Sequence, residues 1–123
     1  MRIIRHTELE VFNCGFAVAM KLFHFSKKFP REEMYSLTDQ LRRSSRSVAA
    51  NITEAWRKRR YQAAFISKLN DAETEAAETQ TWISFATECR YLSAHDASLL
   101  TAEYEAILAM LVTMMAHPER WTL

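Results

Sequence analysis

Apolar residues recur at intervals of three and four along most of the chain, which is the spacing of one helix face. Four such runs are present. The first covers roughly 7–28. Leu9, Phe12, Phe16, Ala19 and Phe23 form one stripe, and Val11, Val18, Leu22 and Phe25 form an adjacent one. Thr7 followed by Glu10 predicts a capping box at its start, and Phe29-Pro30 predicts its end, because the residue before proline avoids helical dihedrals. The second run, roughly 31–58, places Met34, Leu37, Leu41, Val48, Ile52 and Trp56 on one side. Pro30 suits its first turn, and Glu32 and Glu33 suit the positive end of its dipole. The third, roughly 61–90, aligns Phe65, Leu69, Ala72, Ala76, Thr79, Ile83 and Ala86. The fourth, roughly 95–117, aligns Leu100, Tyr104, Ile107, Leu111 and Met114, with Asp96 near its cap and Pro118 beyond its end.

Short connections between long amphipathic helices predict antiparallel neighbours. The expected fold is an all-α, up-down-up-down antiparallel four-helix bundle, one domain over residues 1–123. There is more apolar surface than one core needs. Trp56, Trp82, Phe85, Met110, Met114, Met115 and the doubled stripe of the first run suggest a second buried face, and hence a homo-oligomer.

A polar row runs beside the apolar face of the second helix: Arg43, Ser44, Ser47, Asn51 and Glu54. Ser and Asn lower helix propensity, so in such a place they are expected to have partners. The third run offers Asp71, Glu75 and Glu78 on one face. Antiparallel packing about a turn near 59–60 brings Glu75 toward the level of Arg43 and Ser47. A buried or half-buried pair of Arg43 with Glu75 or Glu78 is therefore expected.

Charge changes this picture. The chain is nearly neutral, at +1, but residues 1–60 carry thirteen Lys and Arg against six acids, and residues 61–123 carry three against nine. Arg42, Arg43 and Arg46 lie within about one turn, and Arg57, Lys58, Arg59 and Arg60 close the second helix. Cations suit a helix C-terminus, but a run of four beside Tyr61 exceeds that need and could grip phosphates. Arg42, Arg46, Arg57, Lys58, Arg59 and Arg60 are the candidate nucleic-acid contacts. If subunits form a ring, the turn repeats around one rim and a modest patch becomes a charged annulus.

Composition removes several alternatives. One Gly and two Pro leave little room for phosphate-binding glycine loops or tight β-turns. Cys14 and Cys89 lack paired spacing and are expected as small core residues in a reducing, cytoplasmic setting. None of the four histidines stands three residues after a glutamate, the pattern of di-metal bundles. No catalytic constellation, metal or cofactor is therefore expected. The start lacks the apolar core of a signal peptide, and no run of about 20 residues is uniformly apolar, so no membrane span is expected.

The segments QLRRSSRSVAANITEA and FISKLNDAETEAAETQTW, with LEVFN and KKFP in the first helix, together resemble the bacterial four-helix bundle proteins encoded by intervening sequences of 23S ribosomal RNA. The resemblance covers nearly the whole chain. Its most specific parts are Asn51-Ile52 with Glu54, and Glu75, Glu78-Thr79 and Trp82. It implies a small cytoplasmic homo-oligomer, a pentameric barrel, with no catalytic residues to transfer. It also implies kinship with nucleic-acid-binding accessory subunits that act beside a reverse transcriptase in diversity-generating retroelements. The chain departs from the pattern in three places. Arg46 replaces a small residue, Asn70-Asp71 replaces a more apolar or small pair, and Cys89-Arg90 replaces a turn containing Gly before Tyr91-Leu92.

Overall fold

The computed structural model describes residues 2–123. Its four α-helices are α1 (Glu10–Ser26), α2 (Leu37–Arg57), α3 (Gln62–Glu88) and α4 (Ala94–Ala116), with no strand among the described residues. Each helix packs against two others in the cyclic order α1, α2, α3, α4, and α2 with α3 form the most extensive pair. Cross-helix contacts fix the directions. Arg42 reaches Ser26, a methyl group on Gly15 would meet Val48, and Trp56 bonds to Ile4, so α2 rises as α1 descends. Ser44 meets Thr79 while Asn51 meets Lys68, which makes α3 antiparallel to α2. Gln80 reaches Thr101 and Glu105, and Lys21 pairs with Glu103. The result is an up-down-up-down bundle.

The core follows the sequence stripes closely in α3 and α4. All seven predicted positions of α3 are buried, as are all five of α4, together with Ala97. In α2 the stripe is buried from Leu37 onward, whereas Met34 is exposed. In α1 the inner stripe is Val11, Val18 and Leu22, with Gly15 between them. Phe16, from the outer stripe, is 54% exposed. Of the residues expected on a second face, Trp56 and Met114 are in the core. Trp82, Met110 and Met115 are half-buried, and Phe85 is exposed.

Helix starts differ from expectation. After Pro30 the chain makes a 3-10 turn, Arg31–Glu33, and Ser36 leaves the helical region (φ −128°, ψ −106°), so α2 begins at Leu37 and not at 31. Glu33 accounts for the delay. One of its carboxylate oxygens accepts the Leu37 N–H at 3.4 Å and the other accepts the Tyr91 hydroxyl at 3.0 Å. That bond pushes the Tyr91 pKa up to about 12. The expected Thr7–Glu10 box is replaced by Glu8, which accepts the N–H groups of Ile4 and Arg5 at 2.8 and 2.6 Å and closes a 3-10 turn over His6–Glu8. Glu10 therefore begins α1 itself.

Between α3 and α4, Arg90 has φ 64°, in the left-handed region. Tyr91 N–H donates to the Ala86 carbonyl at 2.8 Å, a helix end that glycine normally supplies. The sequence placed its departure from a Gly turn at this point. Replacing Arg90 by glycine should therefore stabilise the fold by about 0.5–1 kcal/mol, since the left-handed conformation costs a residue with a Cβ about that much. Thermal unfolding should read this as a rise of a few degrees. A fall in Tm would mean that the arginine side chain does more than its backbone costs.

By length and composition α4 is apolar enough to cross a membrane, with a mean hydropathy of 1.5 over an 18-residue window. Only 28% of that window is buried within the chain. Its inner side lies in the core, and its outer side leaves Leu99 and Val112 about half exposed.

Candidate nucleic-acid interface

The buried seam between α2 and α3 is made of small neutral groups. The Thr79 hydroxyl donates to the Ser44 hydroxyl at 2.8 Å, and both residues are buried. Arg43 turns outward, and its ion pair is with Asp39, one turn earlier, at 3.8 Å. The expected buried pair of Arg43 with Glu75 or Glu78 does not form. The register behind that expectation is nevertheless right, since Arg43, Ser44, Arg46, Ser47, Glu75 and Glu78 line one groove. Within it, burial and the neighbouring Glu78 carboxyl raise the pKa of Glu75, and Arg43 opposes them.

Lys68 is the ionic tie across this seam. Its ammonium lies 3.4 Å from the Asn51 amide oxygen and 3.6 Å from both Glu54 and Asp71. Asn51 in turn donates to the Ser47 carbonyl and hydroxyl at 2.9 and 3.0 Å. The Ser47–Asn51–Glu54 row is thus held from α3 by a cation, where acids were expected. Both carboxylates are about half exposed, so each pair contributes no more than about 1 kcal/mol.

The six candidate cations divide into two groups. Arg42 is engaged with α1. Its Nε donates to the Ser26 hydroxyl at 2.8 Å, and its guanidinium lies 4.9 Å from the Phe23 ring centre. Arg46 stands beside it, exposed, 5.7 Å from the same ring. At the far end of α2, Arg59 stacks on Trp56 at 4.1 Å and donates to the Trp56 carbonyl at 2.7 Å. Arg57, Lys58 and Arg60 are exposed and form no ion pair within 4.0 Å among the described residues.

Two chain segments outside the sequence reading join this end. The Trp56 indole N–H donates to the Ile4 carbonyl at 3.0 Å, which fastens the N-terminal segment beneath the turn. Leu123 N–H donates to the Arg59 carbonyl at 3.3 Å, which brings Arg120 and Trp121 alongside. Local spacing carries no signal for Arg2, Arg120 or Trp121, because their neighbourhood depends on long-range folding.

Among the described residues, no group of three or more His, Cys, Asp and Glu side chains is arranged to hold a metal. Cys14 is half-buried, and burial raises its thiol pKa. Cys89 is exposed at the end of α3 and is not the core residue expected.

The model of the family described as 23S rRNA-intervening sequence protein matches residues 7–113. The chain belongs to that family. The matched span runs from the 3-10 turn before α1 almost to the end of α4, so the whole bundle is family structure. A crystal structure of a protein of unknown function from Bacteroides thetaiotaomicron, described as of the S23 ribosomal protein family, is similar. It shares 26% identity and a TM-score of 0.78, covering 86% of this chain and 95% of that one. No curated protein matches. Several of the residues that suggested the family lie along the α2–α3 seam. Asn51 and Glu54 meet Lys68 and Thr79 meets Ser44, whereas Trp82 lies against Phe85 of its own helix, ring centres 5.8 Å apart.

Proposed function

We propose that this protein is a non-enzymatic homo-oligomeric bundle, a pentameric ring, that binds RNA or DNA weakly and without sequence preference through its basic turn. The observation that carries the reading is the set Arg57, Lys58 and Arg60, exposed and outside any ion pair. Unpaired surface cations at one end attract phosphates and release counterions, whatever the sequence. Phe16 and Met20 on α1, with Leu99 and Val112 on α4, supply apolar surface for assembly. Assembly would repeat the turn around a rim and multiply a charge that is modest in one chain. The near-neutral net charge favours a second reading, a protein-interaction scaffold or an accessory subunit beside a reverse transcriptase, without direct nucleic-acid contact.

A salt titration tests the proposal. Affinity for RNA and DNA should fall steeply with salt. Replacing Arg57, Lys58 and Arg60 by alanine should weaken binding about tenfold or more at low salt and flatten the salt slope by about 2–3. An unchanged helical CD spectrum would show that folding is intact. No binding by the unmodified protein at low salt would sink the nucleic-acid reading and favour the scaffold. Sedimentation as a monomer at micromolar concentration would remove the ring.

A further inference from the structure

At the turn end of the bundle a cavity of about 480 Å³ opens between the α2–α3 turn and the two terminal segments. It is lined by Arg2, Ile3, Trp56, Arg59, Arg120 and Trp121, among others. Three guanidinium groups and two indoles share one space large enough for a small ligand. None of the three arginines forms an ion pair within 4.0 Å among the described residues, and the nearby Glu119 pairs with His117 at 3.7 Å. Trp56 is almost wholly buried, its ring covered by the Arg59 guanidinium at 4.1 Å. A bond of 2.7 Å from Arg59 Nη1 to the Trp56 carbonyl fixes that guanidinium in place. Arg59 is therefore fixed as a charged plane at the wall of the cavity. Trp121 adds a half-buried ring.

Phosphate-only recognition needs charge and no rings; an apolar ligand would need rings and no charge. Both together, with one planar cation fixed in place, match a ligand that is anionic at one end and flat at the other. We propose that this cavity takes a single phosphorylated nucleotide, its phosphate among Arg2, Arg59 and Arg120 and its base stacked on the Arg59 plane or the Trp121 ring. Arginine planes and tryptophan rings both serve as base-stacking platforms. The inference rests on the nucleic-acid reading above and adds to it a preference for unpaired nucleotides. A base inside a duplex cannot enter such a cavity, whereas a strand end or an unpaired base can.

The test compares a single-stranded oligonucleotide, a blunt duplex of the same sequence, a nucleoside monophosphate and inorganic phosphate, each titrated against the whole chain. The single strand should bind at least about tenfold more tightly than the duplex at equal salt, in the range stacking supplies. Arg59→Lys keeps the charge and loses the plane, and Trp121→Leu loses the ring. The two together should abolish the preference, and at least one alone should weaken it, with duplex affinity nearly unchanged. Arg120→Gln, at an exposed position, should weaken the single strand and serves if the other two variants fold poorly. Replacing Arg57, Lys58 and Arg60, which do not line the cavity, should weaken single strand and duplex alike. Equal affinity for single strand and duplex, unaltered by Arg59→Lys and Arg120→Gln, would overturn the cavity and leave the basic turn standing. No salt-dependent binding of either strand form would overturn the basic turn. If the monophosphate alone then bound, and Arg59→Lys weakened it, the cavity would stand with a free nucleotide as its source. Binding of inorganic phosphate as tight as that of the monophosphate would overturn the stacking role.

Discussion

Tyr104→Ala should lower stability by about 3–5 kcal/mol, and Tyr104→Phe should leave it unchanged or raise it by up to about 1 kcal/mol. Tyr104 is the largest side chain wholly buried in the core. Truncation removes a ring from the close-packed core and leaves a cavity that rigid helices can only partly close. The hydroxyl is a separate matter. It is buried without a well-formed hydrogen bond; burial pushes its pKa up, and the neighbouring Thr79 hydroxyl only partly opposes that. Such a group adds desolvation cost without return, so its loss is cheap. Chemical denaturation of both variants measures the two terms separately. A cost above about 1 kcal/mol for Tyr104→Phe would mean that the hydroxyl has a partner in solution, a buried water for instance.

Gly15 gives a second test in which the sign depends on size. It lies inside α1 facing α2, and a Cβ there would stand 3.4 Å from Val48 and 4.0 Å from Ile52. Those are ordinary contacts, so Gly15→Ala should fit and stabilise the helix by about 0.5–1 kcal/mol. Gly15→Leu cannot be accommodated the same way. Val48 and Ile52 are fully buried and have nowhere to move, so overpacking should cost about 3 kcal/mol. Thermal unfolding of the pair decides the matter. Equal stability for both variants would mean that α1 and α2 slide apart readily and that the close approach is incidental.

The legibility of this protein in its sequence varied with how each segment makes its contacts. The α3 stripe, Phe65 to Ala86, was readable position by position because one face meets the core and the others do not. The first helix offered two apolar stripes, and periodicity alone cannot rank them. Gly15 decides, because only the Val11–Val18–Leu22 side lets α1 approach Val48 so closely. The start of α2 was misplaced by six residues because Glu33 satisfies Leu37 from outside the helix, an arrangement that depends on Tyr91, 58 positions away. At the candidate site the register of α2 against α3 was readable and the pairing was not. Charge complementarity suggested Arg43 with Glu75 or Glu78, but the buried contact at that level is between Ser44 and Thr79, and Arg43 pairs with Asp39. Arg42 looked like surface charge and is instead a strut against Phe23 and Ser26.

The tight α2–α3 hairpin has a consequence for how the chain reaches its fold. Only residues 58–61 separate the two helices, so closing them loses little chain entropy. Their contacts are mostly near in sequence, the condition for rapid folding. Synthesis from the N-terminus delivers this hairpin before α4, a helix long and apolar enough to cross a membrane, has emerged. In the folded chain α1 and α3 frame the trough that receives Leu100, Tyr104, Ile107 and Leu111. A long apolar helix is thus made after the two helices it packs against, and has a short wait for a place to go.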